Sequence, residues 1–295
     1  MQSLASVTTA VAALSWIVVG SAAPLQVRQS DYPWLSQSSG TETLASRISA
    51  PPGFERESVT PGSFAEWLRN LPLKKGRPPV QLYDGHLKAN QTAHAAVVDI
   101  DTGNKDLQQC ADAVIRLRAE YLYSKHDIAG IHFDFTSGDT AHFKKWAEGF
   151  RPIVRNNRVS WDKSAGPDTS YRSFRSYLDT VFTYSGTASL ERELPAVPDV
   201  RTLRAGDVFI QPGYPGHAVL VVDVARDTRT GRRIFLLAQS YMPAQDIHIL
   251  QNPAGGPLGS WYDTNFGVSL KTPEWTFSSG HLRRFDATAN APQKL

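Results

Sequence analysis

Residues 206–245 read GDVFIQPGYPGHAVLVVDVARDTRTGRRIFLLAQSYMPAQ and contain two apolar runs on either side of a polar segment. The runs are 218–224 and 234–238, and the segment between them, 225–233, holds charged residues and Gly231. β-Branched and aromatic residues around such a segment are typical of a β-hairpin. Both runs are apolar at odd and even positions, which predicts that other layers cover both faces of the sheet.

This hairpin would bring a histidine and a glutamine together. If the turn centres between Thr228 and Arg229, antiparallel pairing puts His217 opposite Ser240 and beside Gln239. An imidazole and an amide would then lie side by side at the rim of a buried sheet. The same pattern predicts that Val221 and Leu236 are almost completely buried.

Length and composition describe an ordinary globular chain. Its 295 residues suffice for one large domain with a sizeable core. Hydrophobic residues make up 41% and charged residues 20%. The formal net charge is only +3, without a run of like charges, so charge gives no indication of a nucleic-acid or membrane partner.

The N-terminal segment differs from the rest of the chain. Residues 7–20 are apolar and uncharged, and small residues follow at 20–23. This pattern fits a secretory signal peptide and is too short for a stable membrane span. We expect residues 1–22 to be removed, so that the mature protein begins at Ala23 and is periplasmic or secreted.

The remaining chain divides into an arm, a body and a tail. Residues 23–46 are polar and Ser-rich and predict an N-terminal arm, in which the apolar segment 32–35 would hold the arm against the body. Residues 47–285 predict a single α+β domain, an antiparallel sheet with helices packed on it. We predict that residues 286–295 form a disordered tail.

Apolar spacing predicts the main elements of the body. Strands are expected at 80–83, 93–101 and 131–135, and helices at 106–125, 141–150 and 170–185. The helix at 106–125 has one apolar stripe that includes Cys110. Arg116 and Glu120 are spaced as an exposed i,i+4 pair on the same helix.

Cys110 is the only cysteine and lies where this helix should begin. The positive potential of a helix N-terminus lowers a thiol pKa, and a nucleophilic thiol also needs a base and a group that orients the base. His217 and Gln239 fit these two roles. Gln108 or Gln109 could stabilise an oxyanion, so the candidate catalytic set is Cys110, His217, Gln239 and Gln109.

Each of these residues also has a purely structural interpretation. Free cysteine is among the most often buried residue types, and Cys110 lies on the apolar stripe. His217 could cap its strand, and Gln239 could satisfy backbone groups at a sheet edge. Spacing alone leaves both interpretations open.

The histidines and acidic residues also suggest a metal site. His132 and Asp134 share one face of a predicted strand, and a third ligand could come from His94, His142 or His248. Zinc needs three or four converging ligands, and neither an HExxH nor a paired-cysteine motif occurs, so we predict no metal and no cofactor.

Carbohydrate chemistry is the remaining alternative. Exposed aromatic side chains could stack on sugar rings, although most tryptophans are packing anchors. Asp134 with Glu148 or Asp207 could form a glycosidase pair, but no spacing rule supports either choice. The tryptophans in question are Trp34, Trp67, Trp146, Trp161, Trp261 and Trp275.

The segments GDVF at 206–209 and GHAVLV at 216–221 resemble the paired strands of papain-like cysteine hydrolases, including NlpC/P60, CHAP and transglutaminase-like enzymes. The resemblance implies a helix-borne cysteine packed on an antiparallel sheet that carries the histidine.

A longer set of segments is similar to the exported bacterial family catalogued as domain of unknown function four-eight-four-six. This family brings no established activity, but it implies a protein of the cell envelope or the medium. The segments include RISAPPGFER, LQQCADAVIRLRAEYLY, FTYSGTASLERE and LLAQSYMPAQDIHIL.

These observations together predict a papain-like cysteine hydrolase or amidase that acts on envelope peptides such as peptidoglycan stems. The alternative is a non-catalytic envelope protein that binds a glycan or a peptide in the same cleft.

Overall fold

The structure is a computed structural model that describes residues 29–35 and 42–285. The predicted signal peptide, parts of the predicted arm and the predicted tail lie outside these residues. The helices are α1 (Leu44–Arg47), α2 (Phe64–Arg69), α3 (Cys110–Ser124), α4 (Phe143–Ala147), α5 (Tyr171–Tyr184) and α6 (Thr187–Glu193). The strands are β1 (Phe54–Arg56), β2 (His94–Val97), β3 (His132–Asp134), β4 (Thr140–His142), β5 (Phe150–Arg155), β6 (Arg158–Lys163), β7 (Asp207–Gln211), β8 (His217–Asp227), β9 (Arg233–Gln239), β10 (His248–Leu250), β11 (Tyr262–Asp263), β12 (Ser269–Lys271), β13 (Thr276–Ser278) and β14 (Leu282–Arg284).

An eight-stranded antiparallel sheet forms the centre of the fold, with strand order β14-β7-β8-β9-β10-β2. β1 adds to the turn end of β8, and β11 adds to β9. The other strands form the two-stranded sheets β3–β4, β5–β6 and β12–β13. The predicted α+β class with an antiparallel sheet is confirmed.

The predicted hairpin is present as β8 and β9, but its register differs from the prediction. A turn centred between Thr228 and Arg229 would pair Leu220 with Leu237, whereas Leu220 pairs with Ala238. The turn centres one residue later because the Asp227 carboxylate accepts the backbone N–H groups of Arg229 and Thr230. A β-bulge between residues 221 and 223 then shifts the pairing back by one residue.

Both faces of this sheet are covered, as predicted. On one face α2 and α3 pack over β8, and Leu236 belongs to this apolar cluster. On the other face Val221 packs with residues from β11 to β14, including Phe277 and Leu282. Val221 and Leu236 are both 0% exposed, so their predicted burial is confirmed.

Helix α3 begins at Cys110, four residues later than predicted. Asp106 is outside the helix because its carboxylate accepts the side chain of Gln109 and the backbone N–H of Ala244. The first turn of the helix is closed instead by Asp112, which accepts the N–H of Gln109 at 3.1 Å.

The prediction that Arg116 and Glu120 form an exposed pair is wrong. Both side chains are 0% exposed, and Arg116 Nε lies 2.7 Å from Glu120 Oε1 beneath α5. The spacing predicted the contact correctly, but it carried no information about Tyr171, whose hydroxyl covers the carboxylate at 2.8 Å.

The predicted strand at 80–83 is also absent. Its residues make only isolated bridges, because the Gln91 side chain accepts the N–H of Val80 and donates to its carbonyl oxygen. These side-chain hydrogen bonds replace a strand partner for the backbone.

The segment 31–35 packs against the body through aromatic contacts. The rings of Tyr32 and Trp67 stack at 5.1 Å, and the Tyr32 hydroxyl donates to the Trp67 carbonyl oxygen. Trp34 donates from its indole to the carbonyl oxygen of Asp99. Among the helices within 29–35 and 42–285, none has the length and apolar character needed to cross a membrane.

Candidate functional site

Cys110 is the first residue of α3, and its thiol faces the start of β8. Sγ lies 4.0 Å from the carbonyl oxygen of Gly216, and the backbone N–H of Ala218 approaches the same sulfur. These two residues flank His217 in the chain. The thiol therefore contacts the backbone on both sides of His217, and Cys110 is 5% exposed.

His217 is the first residue of β8, and Gln239 is the last residue of β9. The predicted contact is present, with His217 Nε2 2.9 Å from Gln239 Oε1. Both side chains are buried, at 0% and 1% exposure.

The surrounding hydrogen bonds determine the tautomer of His217. His248 Nδ1 lies 2.8 Å from the carbonyl oxygen of Asp246, which can only accept, so His248 Nε2 carries a lone pair. The Gln239 amide nitrogen donates to this lone pair at 3.3 Å and to Glu274 Oε2 at 2.8 Å. The Gln239 oxygen must therefore accept from a protonated Nε2 of His217.

This arrangement leaves the lone pair of His217 on Nδ1. That atom is buried and has no hydrogen-bond partner among the residues that the structure describes. An unpartnered buried nitrogen is costly, and such groups occur where a proton or a ligand is to be bound. The imidazole therefore has a free lone pair at Nδ1 that can accept a proton.

Glu274 and Lys88 extend the network beyond the predicted residues. Lys88 Nζ lies 2.7 Å from Glu274 Oε1, and the two side chains are 5% and 13% exposed. Lys88 Nζ also lies over the ring of Tyr241 at 4.9 Å. Both belong to loops far from the hairpin in sequence, so no local pattern could have placed them here.

Aromatic rings surround the imidazole. Tyr241, Trp275 and Phe277 have ring centroids 4.9, 5.2 and 5.8 Å from that of His217. Trp275 also donates to Gln211, the last residue of β7. These rings exclude water from the base and fix its plane.

Burial favours the neutral forms of both Cys110 and His217. It raises the pKa of the Cys110 thiol to about 11, with Asp112 as a further cause. Burial also lowers the pKa of His217 to about 4. The sequence predicted that the helix N-terminus would lower the thiol pKa, but here desolvation outweighs the helix dipole and reverses the direction.

The two glutamines before the cysteine occupy different environments. Gln109 is the half-buried residue preceding α3, and its side chain donates to Asp106. Gln108 is 1% exposed, and its side-chain oxygen accepts from Arg116 at 2.7 Å. Of the two glutamines, only Gln109 directly precedes Cys110 in the chain and has its side-chain amide near the surface.

The residues of the other candidate sites lie apart. The His132 and His142 rings form one pair at 5.2 Å, whereas the rings of His94 and His248 are 6.2 Å apart on the central sheet. Residues 29–35 and 42–285 contain no group of three or more ligands placed to hold a metal ion. Asp207 is bound by Arg284 at 2.6 Å, which gives it a structural partner.

The tryptophans serve mainly as packing residues. Trp67, Trp146 and Trp261 are buried, and Trp34, Trp161 and Trp275 are half-buried.

Comparisons with known proteins gave one result. No curated protein and no solved structure matched the chain. A family model did match, over residues 44–284, which is most of the chain and includes every residue of the candidate site. The chain belongs to the family described as Domain of unknown function (4846).

Proposed function

We propose that this protein is a cysteine hydrolase of papain-like mechanism, with Cys110 as nucleophile, His217 as base and Gln239 as the group that orients the base. The observation that carries the proposal is the unpartnered Nδ1 of His217 in a tautomer fixed by Gln239. A general base needs a free lone pair, and Nδ1 of His217 provides one. The contact of the thiol with Gly216 and Ala218 supports the same assignment.

The reaction transfers an acyl group to the thiol and then to water. Sγ attacks the carbonyl carbon of an amide while Nδ1 takes the thiol proton, and the C–N bond breaks as Nδ1 protonates the leaving amine. Water then attacks the thioester carbon with Nδ1 as its base, and the C–S bond breaks to restore the thiol. In this proposal the backbone N–H of Cys110 binds the oxyanion together with the side chain of Gln109, which would exchange its hydrogen bond to Asp106 for one to the oxyanion.

The neutral resting pair determines how the site is activated. The thiol pKa of about 11 and the imidazole pKa of about 4 disfavour a resting thiolate–imidazolium pair. Proton transfer therefore accompanies attack rather than preceding it. Because Cys110 is 5% exposed, the proposal requires the segments 212–216 and 241–244 to move before substrate reaches the thiol, since Gly216 contacts Cys110 and Tyr241 contacts His217.

The proposed substrates are peptides of the cell envelope, such as peptidoglycan stems, and the proposed location is the periplasm or the medium. The apolar segment at 7–20 and the small residues at 20–23 support export. N-terminal sequencing of protein recovered from the envelope fraction should give Ala23 as the first residue. A folded cytoplasmic protein that retains Met1 would contradict export without bearing on the chemistry.

The chemistry is tested by alkylation of Cys110 at neutral pH. Iodoacetamide should modify the folded wild-type protein, and His217→Ala should slow the reaction by about tenfold or more because the base is lost. His86→Ala, which removes a histidine that is 81% exposed and outside the site, should leave the rate unchanged. Envelope peptides incubated with the wild-type protein, but not with Cys110→Ser, should gain new amino and carboxyl ends.

The rival function is non-catalytic binding of a glycan or a peptide, and the 5% exposure of Cys110 favours it. In that case the thiol would react only after unfolding, and His217→Ala would not change its rate in the folded protein. Either result would favour the binding function over the hydrolase function.

A further inference from the structure

A cavity lies between the loop that precedes α3 and one side of α5. Its volume is about 230 Å³, and its wall includes Thr102, Lys105, Gln108, Arg172, Arg175 and Phe182. Cys110, His217 and Gln239, all within the described part of the chain, do not line it. The cavity is therefore distinct from the candidate catalytic site.

Two polar groups of this wall are buried without a partner. Thr102 Oγ1 and Arg175 Nη1 have no hydrogen-bond partner among residues 29–35 and 42–285. Both are donors, and the guanidinium group is always charged. A buried donor without an acceptor costs about 1–3 kcal/mol, and more when it is charged, so the pair of them on one cavity indicates a missing acceptor.

The charges around the cavity are unequal. Arg175 shares the carboxylate of Asp101 with Arg116, at 3.2 and 3.0 Å from Asp101 oxygens. Lys105 is paired with Asp179 at 2.8 Å. Arg116 also has Glu120 at 2.7 Å, so Asp101 is the only carboxylate paired with Arg175 but not the only one paired with Arg116. Arg172, on the same wall, forms no ion pair with any described residue.

The loop itself offers further donors. The backbone N–H groups of Gly103, Asn104 and Lys105 donate to no acceptor within the described residues. Gly103 has a φ of +82°, and a side chain at this position would lie 4.0 Å from Arg175 Nη2. That distance is an ordinary contact, so glycine is favoured at this position by its positive φ and not by lack of space.

We propose that this cavity binds an oxyanion group, a carboxylate or a phosphate, through Arg175, Arg172 and Thr102. An oxyanion offers several lone pairs to a guanidinium fork and accepts a hydroxyl hydrogen bond at the same time. It would satisfy Arg175 Nη1 and Thr102 Oγ1 and balance the charge of Arg172. The proposal does not depend on the cysteine chemistry.

The test measures binding of small oxyanions to the full protein by calorimetry and by thermal unfolding. Inorganic phosphate and succinate are compared with chloride at equal ionic strength, so that general salt effects cancel. At least one of the two should bind and raise the melting temperature beyond the chloride control. Binding of phosphate alone would identify a phosphate site, and binding of succinate alone would identify a carboxylate site. Binding of both would mean that the site accepts either group.

Thr102→Val is the most informative variant because it should maintain or raise the stability of the unliganded protein while weakening oxyanion binding. Valine keeps the shape of threonine but removes an unsatisfied hydroxyl, so the unliganded protein should be as stable as wild type or more stable. The oxyanion should bind about tenfold more weakly because it loses a hydroxyl donor. A structural role for Thr102 would instead lower stability and leave binding unaltered.

Arg175→Gln should abolish the response to the oxyanion. The matched control is Arg158→Gln, which removes the same charge from an exposed position on β6 and should bind like wild type. A wild-type protein that responds to phosphate and succinate no more than to chloride would overturn the proposal. So would an equal response in wild type, Thr102→Val and Arg175→Gln.

Discussion

The imidazole of His217 is held by a hydrogen bond whose direction is set by residues that do not touch it. The carbonyl oxygen of Asp246 fixes the proton of His248, and His248 with Glu274 fixes the orientation of the Gln239 amide. Only then must His217 donate from Nε2. The tautomer is thus a property of the network rather than of a single contact.

This arrangement predicts the nitrogen resonances of His217. They should report the Nε2–H tautomer and a neutral ring from neutral pH down to about pH 4, because burial lowers the imidazole pKa to about 4. ¹⁵N-edited NMR across pH 4–8 measures both properties. Gln239→Leu should abolish the preference for one tautomer, because Nε2 then loses its acceptor.

A ring that becomes charged near pH 6.5, or an Nδ1–H tautomer in the wild-type protein, would contradict the assignment. Glu274→Gln is the informative second variant. It keeps an acceptor for Gln239 but removes the charge that pairs with Lys88. The tautomer should persist in Glu274→Gln if hydrogen-bond direction, rather than charge, sets it.

At the scale of elements, the hairpin β8–β9 separates two apolar clusters. Val221 points into one and Leu236 into the other, although both belong to the same two strands. Truncation of either residue to alanine should lower the free energy of unfolding by about 2–4 kcal/mol, from lost transfer energy and a residual cavity. Denaturant unfolding measures the change.

Val268→Ala is the control, since Val268 is 85% exposed and its truncation should change stability by less than about 0.5 kcal/mol. A cost below about 1 kcal/mol for Val221→Ala or Leu236→Ala would mean that the hairpin is not central to stability.

The burial of Arg116 and Glu120 changes what their contact contributes. An exposed i,i+4 pair contributes about 0.3–0.5 kcal/mol. Removing one partner of a buried pair costs about 3–5 kcal/mol, because the other charge is left without compensation. Glu120→Ala should fall at the lower end of the second range, about 3 kcal/mol. Arg116 loses a buried contact of 2.7 Å but keeps Asp101 at 3.0 Å.

Denaturant unfolding again distinguishes the two ranges. Arg201→Ala provides the comparison, because Arg201 is 83% exposed and its pair with Asp199 is a surface contact. Its loss should change stability much less than Glu120→Ala does. Similar small effects of Glu120→Ala and Arg201→Ala would mean that water reaches Arg116.

Sequence patterns predicted the hairpin and the contact between His217 and Gln239, because both follow from two apolar runs within one short stretch. They predicted the α+β class from the strands and helices expected along the whole body. The start of α3 was misplaced since Asp106 binds Ala244, a residue 138 positions away. The thiol pKa was predicted in the wrong direction because desolvation depends on the packing of the whole molecule. Lys88 and Glu274 were missed for the same reason, since they join the site through loop packing.

At the scale of the whole molecule, the pH dependence of stability combines groups that act in opposite directions. His217 and His248 have lowered pKa values, about 4 and about 3, so they favour the folded state above pH 6.5 and lose that contribution as the pH falls. Glu193 has the opposite effect on the pH dependence of stability. Burial first, and then repulsion from Asp134, raise its pKa from 4.5 to about 7, although the N–H of Asp134 donates to the carboxylate.

Glu193 can be isolated by comparing Glu193→Gln with wild type at each pH. Between pH 4.5 and 7 the native carboxyl binds more protons than the unfolded one, so wild-type stability from this group falls as the pH rises. Glutamine does not titrate and keeps an oxygen acceptor for Asp134. The stability advantage of Glu193→Gln should therefore increase from pH 4.5 to 7 by about 1.4 kcal/mol for each unit of pKa shift, and then remain constant. Denaturant unfolding at pH 4, 5.5, 7 and 8 measures this difference, in which the histidines and the other acids cancel. A difference that does not vary with pH would mean that Glu193 is solvated and ionised like an exposed carboxylate.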